Sequence, residues 1–540
     1  MAGPRQTVAT VNLDAMIQRE DFEVGGELLS SGRIGQAMKL AELLPESIGY
    51  QTLRKPDFQR ETSSWPPERV AAFIASFLDG DLIPAVIMWR SPATGINFVV
   101  DGAHRLSALI AWVNDDYGAG IYSKLLFREQ IEPLQMKVAN KTRAMVGEKI
   151  GRYSDLVRYP ANPEGAPDPK TLLRARNIAS MTLFLQWVDG DAAAAEKSFF
   201  RINQSAAKID ETELELIESR RKPNAIATRA LIRAGTGHQY WSHFGQPAQQ
   251  EIKALAAEVY EELFRPIVDY PIKTLDLPVA GSGYTADSVR MVLDLTNILN
   301  RAEGADQQNG GIIEDDPDGS DTIAYLKRVR RIAARCFGPS SGSLALHPGV
   351  YCYGNNAKFH PASFMTAVLF IRELMLQDKL LRFTKVRSKF EEFILVHKHF
   401  ANQIGSNKGS RMKGLPSMLL LYRSVFDGVG RLETHAEIVE FLKTVPSLGF
   451  LQEQTEDDRK YGRNFTRETK DSILFKKKLA AEIRCAHCDA RLHFRGISFD
   501  HENRKEDGGR GNPENGQLMH PFCNTGAKES DHHQKVANAK

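Results

Sequence analysis

The apolar positions of this chain follow two periods, and the change from one to the other outlines its elements. Residues 1–45 read as short amphipathic helical pieces, and Glu46 to Tyr50 lead into the first compact domain. Val70, Ile74, Phe77 and Leu78 recur at helical spacing behind Pro66 and Pro67, and Gly80 follows, so a helix with proline in its first turn is expected there. Ile83 to Trp89 and Ile96 to Val100 are β-rich runs separated by the turn Ser91-Pro92-Ala93-Thr94-Gly95. A second helix is expected from near His104 through Leu106, Leu109, Ile110 and Trp112. Tyr159 to Lys170, rich in proline, glycine and acid, reads as a loop. From about Thr212 to Thr444 most windows carry helical periodicity, interrupted by the Gly/Asp-rich stretch Ala302 to Asp321. Gln452 to Asp471 has few apolar residues and reads as a linker.

Length then sets the scale: 540 residues exceed what one hydrophobic core serves, so two to four domains are expected. No apolar run approaches the roughly 18 residues of a membrane span, and the first residues lack the apolar stretch of a signal peptide. A cytoplasmic protein without membrane contact is the expectation. The net charge of +3 decides little, because a nucleic-acid binder needs only a local basic surface. Lys385, Arg387, Lys389, Lys398, Lys408, Arg411 and Lys413 form a basic stretch, readable either as a phosphate-contacting surface or as a solvated helix face.

The cysteines change the picture. Three of the five, Cys485, Cys488 and Cys523, fall near the C-terminus beside His520. Cys485 and Cys488 form a C-x2-C knuckle, and His520 and Cys523 an H-x2-C knuckle, together the ligand set a tetrahedral structural zinc takes. Between them a short β-rich run ends in Asp500-His501, and the glycine-rich loop Asp507 to Pro513 follows, then Asn515. Asn524 comes directly after Cys523. This stretch resembles the HNH endonucleases, with His520 standing where the family usually has cysteine. The resemblance implies a ββα-metal fold that hydrolyses DNA phosphodiesters. In it Asp500 and Asn524 would hold Mg²⁺ or Mn²⁺, His501 would take the proton from the attacking water, and Asn515 would steady the loop orienting His501.

A second constellation lies upstream: Phe58-Gln59-Arg60-Glu61, then Val100-Asp101-Gly102-Ala103-His104-Arg105, then Phe200-Arg201-Ile202-Asn203. A glycine turn opening a helix offers backbone N–H groups to a phosphate, and Arg in its first turn can grip one. The joint pattern resembles the ParB/sulfiredoxin-like domain of GmrSD-type modification-dependent and phosphorothioate-sensing defence nucleases. That resemblance implies nucleotide binding at Gln59, Arg60, Asp101, Gly102, His104, Arg105, Arg201 and Asn203, with NTP hydrolysis as an added activity. Ala103 stands where the family usually has Gln, which bears on hydrolysis more than on binding.

The expected protein is therefore an α+β multidomain nuclease. An N-terminal helical extension (1–45) precedes a ParB/sulfiredoxin-like sensor domain (46–215), a helical spacer (216–455), a linker (456–475) and an HNH module (476–540). Its cofactors would be structural Zn²⁺, catalytic Mg²⁺ or Mn²⁺, and NTP. Its partners would be foreign or modified DNA, with other defence proteins or a second copy of the chain also open, and its role bacterial anti-phage restriction. Two alternatives stand beside this. One is a constitutive HNH nuclease with a DNA-binding N-terminal domain. The other is a non-cutting, nucleotide-switched ParB-like DNA-binding protein, against which the intact Asp500, His501 and Asn524 argue.

Overall fold

A computed structural model describes residues 10–22, 35–59, 61–128, 130–205, 210–268, 270–301, 313–409, 411–453 and 463–530. The chain is α+β, mostly helical, with one mixed sheet and a separate strand pair. It divides into two compact units, residues 1–226 with 236–243, and residues 227–235 with 244–540.

The first unit is built on six strands: β1 (Arg19–Glu20), β2 (Ala37–Lys39), β3 (Leu53–Pro56), β4 (Val86–Arg90), β5 (Asn97–Asp101) and β6 (Thr182–Trp187). They lie in the order β1-β3-β5-β4-β6-β2. β3 runs parallel to β1 and β5, β4 antiparallel to β5 and parallel to β6, and β2 antiparallel to β6. Side-chain alternation explains why the central strands are nearly all apolar. Val86, Met88 and Val99 enter one core, with Val70, Ile74 and Phe77 from the helix Pro67–Asp79 and Leu106 and Leu109 from the helix Ala103–Val113. Trp89, Phe98 and Val100 face the other way, onto Phe58, Ala195, Phe199 and Ile217. Both faces of the sheet are covered.

The two expected helices form within a residue or two of where the spacing puts them, and Gly80 ends the first in the left-handed region, φ 80°. Residues 10–22 and 35–45 differ from the helical pieces expected there. Alongside short 3-10 turns they supply β1 and β2, which close the two edges of the sheet. Strands of two and three residues are too short to show a period.

The second unit is helical. The helices Gln246–Phe264, Ala286–Arg301 and Ser320–Phe337 pack together, and a ring cluster of Phe370, Phe383, Phe390, Tyr422 and Phe426 fills the space among Pro361–Leu376, Leu380–Val396 and Leu415–Gly428. Within the stretch expected to be a linker, residues 454–462 lie outside the described residues. From Arg467 to Ala481 the chain is a helix with Phe475 and Leu479 buried, and Asp471 Oδ1 accepts from the Ile272 N–H at 2.8 Å. The C-terminal residues are part of this same compact unit. Phe522 N–H donates to Ser343 O at 2.8 Å, and a Cβ on Gly496 would lie 2.1 Å from Ala345 Cβ, so the two segments touch backbone to side chain. No described helix is long and apolar enough to cross a membrane.

Candidate functional site

Two antiparallel strands, β7 (Ser498–His501) and β8 (Gly516–Met519), pair Asp500 with Gln517 and His501 with Gly516. A helical segment follows directly, widened to a π turn over Cys523–Ala527. The knuckles flank this pair. Cys485 N–H donates to Ala490 O at 2.9 Å, and Asp489 turns the chain back with φ 54°.

Cys485, Cys488, His520 and Cys523 are all buried, and their ligand atoms lie within 4.8 Å of one another. His520 Nδ1 lies 3.4 Å from Cys488 Sγ and 3.9 Å from Cys523 Sγ, while its Nε2 meets the Arg491 carbonyl at 3.0 Å. A carbonyl accepts only, so it fixes the proton on Nε2 and leaves the Nδ1 lone pair facing the sulfurs. Hydrogen bonds from Cys488 and Cys523 hold the Cys485 thiol well below its usual range, and the bond to Cys485 pushes Cys488 up to about 12. Packed against one another without a cation, the three sulfurs oppose one another's ionisation. A dication in their midst would let all three ionise, which is the condition for a Cys3His zinc site. The donor set fits zinc.

A polar chain ties this centre to the helical body. Arg491 Nη1 and Arg484 Nη2 both donate to Glu392 Oε1, at 2.8 and 2.7 Å. Glu391, on the same helix Leu380–Val396, accepts from Arg387 Nε at 2.7 Å, the Tyr351 hydroxyl at 3.0 Å and the Arg491 N–H at 3.3 Å. Arg387 and Glu391 are both fully buried. Arg387, read from sequence as part of a basic surface stretch, is thus interior, whereas Lys385 and Lys389 beside it are exposed.

Asp500 is half-buried at the end of β7. Its Oδ2 accepts from Gln517 Nε2 at 2.8 Å and is ion-paired with Lys528 Nζ, which also donates to the His501 carbonyl at 2.9 Å. Partial burial opposes ionisation, but the bonds from Lys528 and Gln517 outweigh it and hold the carboxyl below its usual range. Asn524 Nδ2 donates to Ser498 Oγ at 2.8 Å, which leaves its Oδ1 as the ligand-type atom. Strand alternation puts Ser498 and Asp500 on the side facing the helical segment, and Phe499 and His501 on the other. His501 lies beside the glycine loop, where a Cβ on Gly511 would sit 4.0 Å from its Nε2. Asn515 fastens that loop: its Oδ1 accepts from the Asn503 N–H at 2.6 Å, and its Nδ2 donates to the carbonyls of Asn503 and Arg510 at 3.0 and 2.8 Å. Lys528 and Gln517 were not singled out in the sequence. The available signals are that Lys528 falls one helical turn after Asn524 and that Gln517 faces Asp500 across the strand pair.

In the first unit, Asp101 ends β5 and Gly102 opens the helix Ala103–Val113 with φ 93°. That positive φ strains any residue with a Cβ, so glycine is needed there. Arg105 Nη2 folds back onto Asp101 Oδ2 at 2.9 Å and the Ala85 carbonyl at 3.0 Å. Ala103 is buried in the core. His104 Nε2 meets Ser64 Oγ at 2.8 Å, and its ring stacks on Trp65 at 5.5 Å. Gln59 is buried with its Nε2 donating to the Val100 carbonyl at 3.4 Å, and its Oε1 has no partner among the described residues. Gln59, Asp101, Gly102, His104 and Arg105 therefore gather around the end of β5. Arg201 is exposed on the helix Ala192–Ser205. Arg60 and the Asn203 side chain lie outside the described residues. Sequence reading missed a buried charge cluster near this loop: Asp14 Oδ1 accepts from Arg19 and from Lys55 Nζ, each at 2.7 Å, and from the Thr62 N–H at 3.0 Å. Nothing local marks it, because Lys55 stands beside Arg54 in the short strand Leu53-Arg54-Lys55-Pro56 and reads as surface charge.

Comparison with known proteins bears on this unit. Residues 40–220 match the family model described as GmrSD restriction endonuclease, N-terminal domain. The matched segment is about a third of the chain and contains β3 to β6 with all the residues gathered around Asp101. No curated protein and no solved structure matches the chain.

Proposed function

We propose that the protein is a metal-dependent DNA endonuclease whose cutting centre is the β7–β8 pair and the helical segment after it. The observation that carries this reading is the junction of a four-ligand Cys3His cluster with a strand ending in Asp500-His501 and a helical segment opening with Asn524. Asp500 and Asn524 supply two hard oxygen donors, a number that suits magnesium or manganese completed by water and phosphate. Such an ion would neutralise charge on the scissile phosphate and the leaving oxygen. His501, on the opposite side of the strand, is positioned to take the proton of an incoming water. In-line displacement asks for base and leaving-group stabiliser on opposite sides of phosphorus, so neighbouring residues facing opposite ways suit it. Asn515 keeps the loop beside His501 from collapsing onto the ring.

The first unit is inferred to act as a sensor that licenses cutting in a restriction role, supported by the match of residues 40–220 to a restriction endonuclease N-terminal domain. Nucleotide binding around Asp101 and Gly102 belongs to this inference. The same holds for the ββα-metal and ParB-like fold assignments and for a cytoplasmic location.

The test is cleavage of modified and unmodified plasmid DNA by wild type and His501→Ala, with magnesium, with manganese and with chelator, each with and without NTP. His501→Ala should lose roughly 10² to 10⁴-fold in rate with zinc content and DNA affinity unchanged. Cleavage by the variant within about tenfold of wild type would remove His501 from the chemistry.

A further inference from the structure

We infer that Phe499 is the residue that enters the DNA, an apolar wedge set into the base step beside the phosphate served by His501; this rests on the nuclease reading above. Of the apolar side chains on the strand pair, Met519 is 1% exposed and Leu518 is half-buried against the zinc-side core, whereas Phe499 is 80% exposed. The core of the module closes without it. Phe494 and Ile483 are exposed too, at 58% and 54%, but Phe499 is the most exposed of the three and the one on the strand that carries His501, so its ring is the one placed for an occupant there.

The strand identifies that occupant. Phe499 and His501 share the face of β7 turned away from the helical segment, two residues apart. Gly516 faces His501 across the pair and Leu518 faces Phe499, so nothing bulky stands over the imidazole from β8. On the other flank is the loop held by Asn515, where Gly511 passes beside the His501 ring and Arg510 is exposed. One open face therefore carries a ring and an imidazole in sequence, with the exposed Arg510 in the loop beside them. Two residues of strand span about 6.7 Å, close to two base-pair rises of about 3.4 Å. With His501 at a phosphate, the Phe499 ring meets the edges of the neighbouring base pairs. Apolar side chains inserted at such steps unstack them and bend the duplex.

The test uses the full-length protein and three variants, Phe499→Ala, Phe499→Leu and Phe499→Trp, each checked for unchanged zinc content and sedimentation. Cleavage is measured on fully paired duplex and on the same duplex with mismatches at the mapped cut. Unstacking is read separately, from the fluorescence of 2-aminopurine duplexes bound in calcium. Phe499→Ala should cut paired DNA roughly 5- to 150-fold more slowly, the range that loss of one aromatic–base contact implies. Phe499→Trp should restore the rate, Phe499→Leu should restore part of it, and mismatched DNA should be cut nearly equally by all. The 2-aminopurine signal should rise with wild type and not with Phe499→Ala. Equal loss on paired and mismatched DNA, no loss on either, or a change of sedimentation with Phe499→Ala overturns the wedge. Wild type that raises the 2-aminopurine signal through Phe499 but never cuts would retain the wedge and reject the nuclease.

Discussion

Replacing Arg387 by methionine tests how far the C-terminal module depends on the helical body. The guanidinium is fully buried and gives Nε to Glu391 at 2.7 Å and Nη1 to the Leu344 carbonyl at 2.6 Å. Methionine fills much of the volume and removes every donor. Glu391 is then left as a buried carboxylate with a hydroxyl and one N–H, Tyr351 and Arg491, but no counter-charge. Breaking one side of a buried pair costs about 3–5 kcal/mol, mostly because the other charge stays behind. At about 2 °C per kcal/mol, the value for large domains, the melting temperature of the second unit should fall by roughly 6–10 °C. Removing the stranded charge as well should recover most of this, so Arg387→Met with Glu391→Leu should melt well above the single variant. Zinc should follow the same order under chelator challenge. Glu391 holds the Arg491 N–H, and the carbonyl of that same residue orients His520. Differential scanning calorimetry with zinc release followed by a colorimetric chelator reads both. A single variant melting within about 2 °C of wild type, or a double variant no better than the single, would refute the reasoning.

Cys488→Ser should lose the metal altogether and lower the melting transition, since the small core of Cys485, Leu492, Met519 and Cys523 is built around it; full metal content in the variant by elemental analysis would contradict this. His397 predicts acid sensitivity. Burial, with His399 and His435 at 5.7 and 5.6 Å, lowers it to about 4, so the stability linked to its neutral form is complete above about 6.5 and is lost as pH falls towards 4. His397→Phe should therefore flatten the dependence of melting temperature on pH between 7.5 and 5, and an unchanged slope would rule His397 out as a contributor. Arg105→Ala separates two roles: calorimetry should show about 10- to 150-fold weaker NTP binding if the turn seats a phosphate, whereas a loss of melting temperature with NTP binding intact marks Arg105 as a buttress.

What could be read in the sequence depended on how local its cause was. The helix Pro67–Asp79 and the strands around Trp89 and Phe98 were legible because proline, glycine and apolar period act over a few residues. The four-ligand cluster was legible for a different reason: paired knuckles recur at a spacing that sulfur and imidazole chemistry demands, and they lie together in the structure. β1, β2 and β6 were not legible. Their pairing partners lie far along the chain, and the two or three residues of β1 and β2 carry no periodic signal of their own. Arg387 shows the same limit at the level of a side chain. Beside Lys385 and Lys389 it reads as surface charge; Glu391 is its i+4 neighbour on the same helix, but only the fold buries the pair under Tyr351 and the Leu344 carbonyl.

Arg387 also bears on how a signal could reach the proposed cutting centre. A nuclease module hung on a flexible linker would be gated by its tether. Here the module's Arg484, Arg491, Arg495 and Phe522 are bonded to Glu392, Glu391, Asp276 and Ser343 of the helical body, so module and body form one unit. Free swing of the module would have to break these partly exposed ion pairs together with the backbone hydrogen bonds to Glu391 and Ser343, all at once. Smaller rearrangements cost less. The ion pair between Lys528 and Asp500 is half-buried and ends on a flexible side chain, and the loop fastened by Asn515 rests on four hydrogen bonds at the surface. A licensing signal is therefore expected to act by freeing Asp500 from Lys528 or by shifting the loop beside His501, with the frame of zinc and helices unmoved.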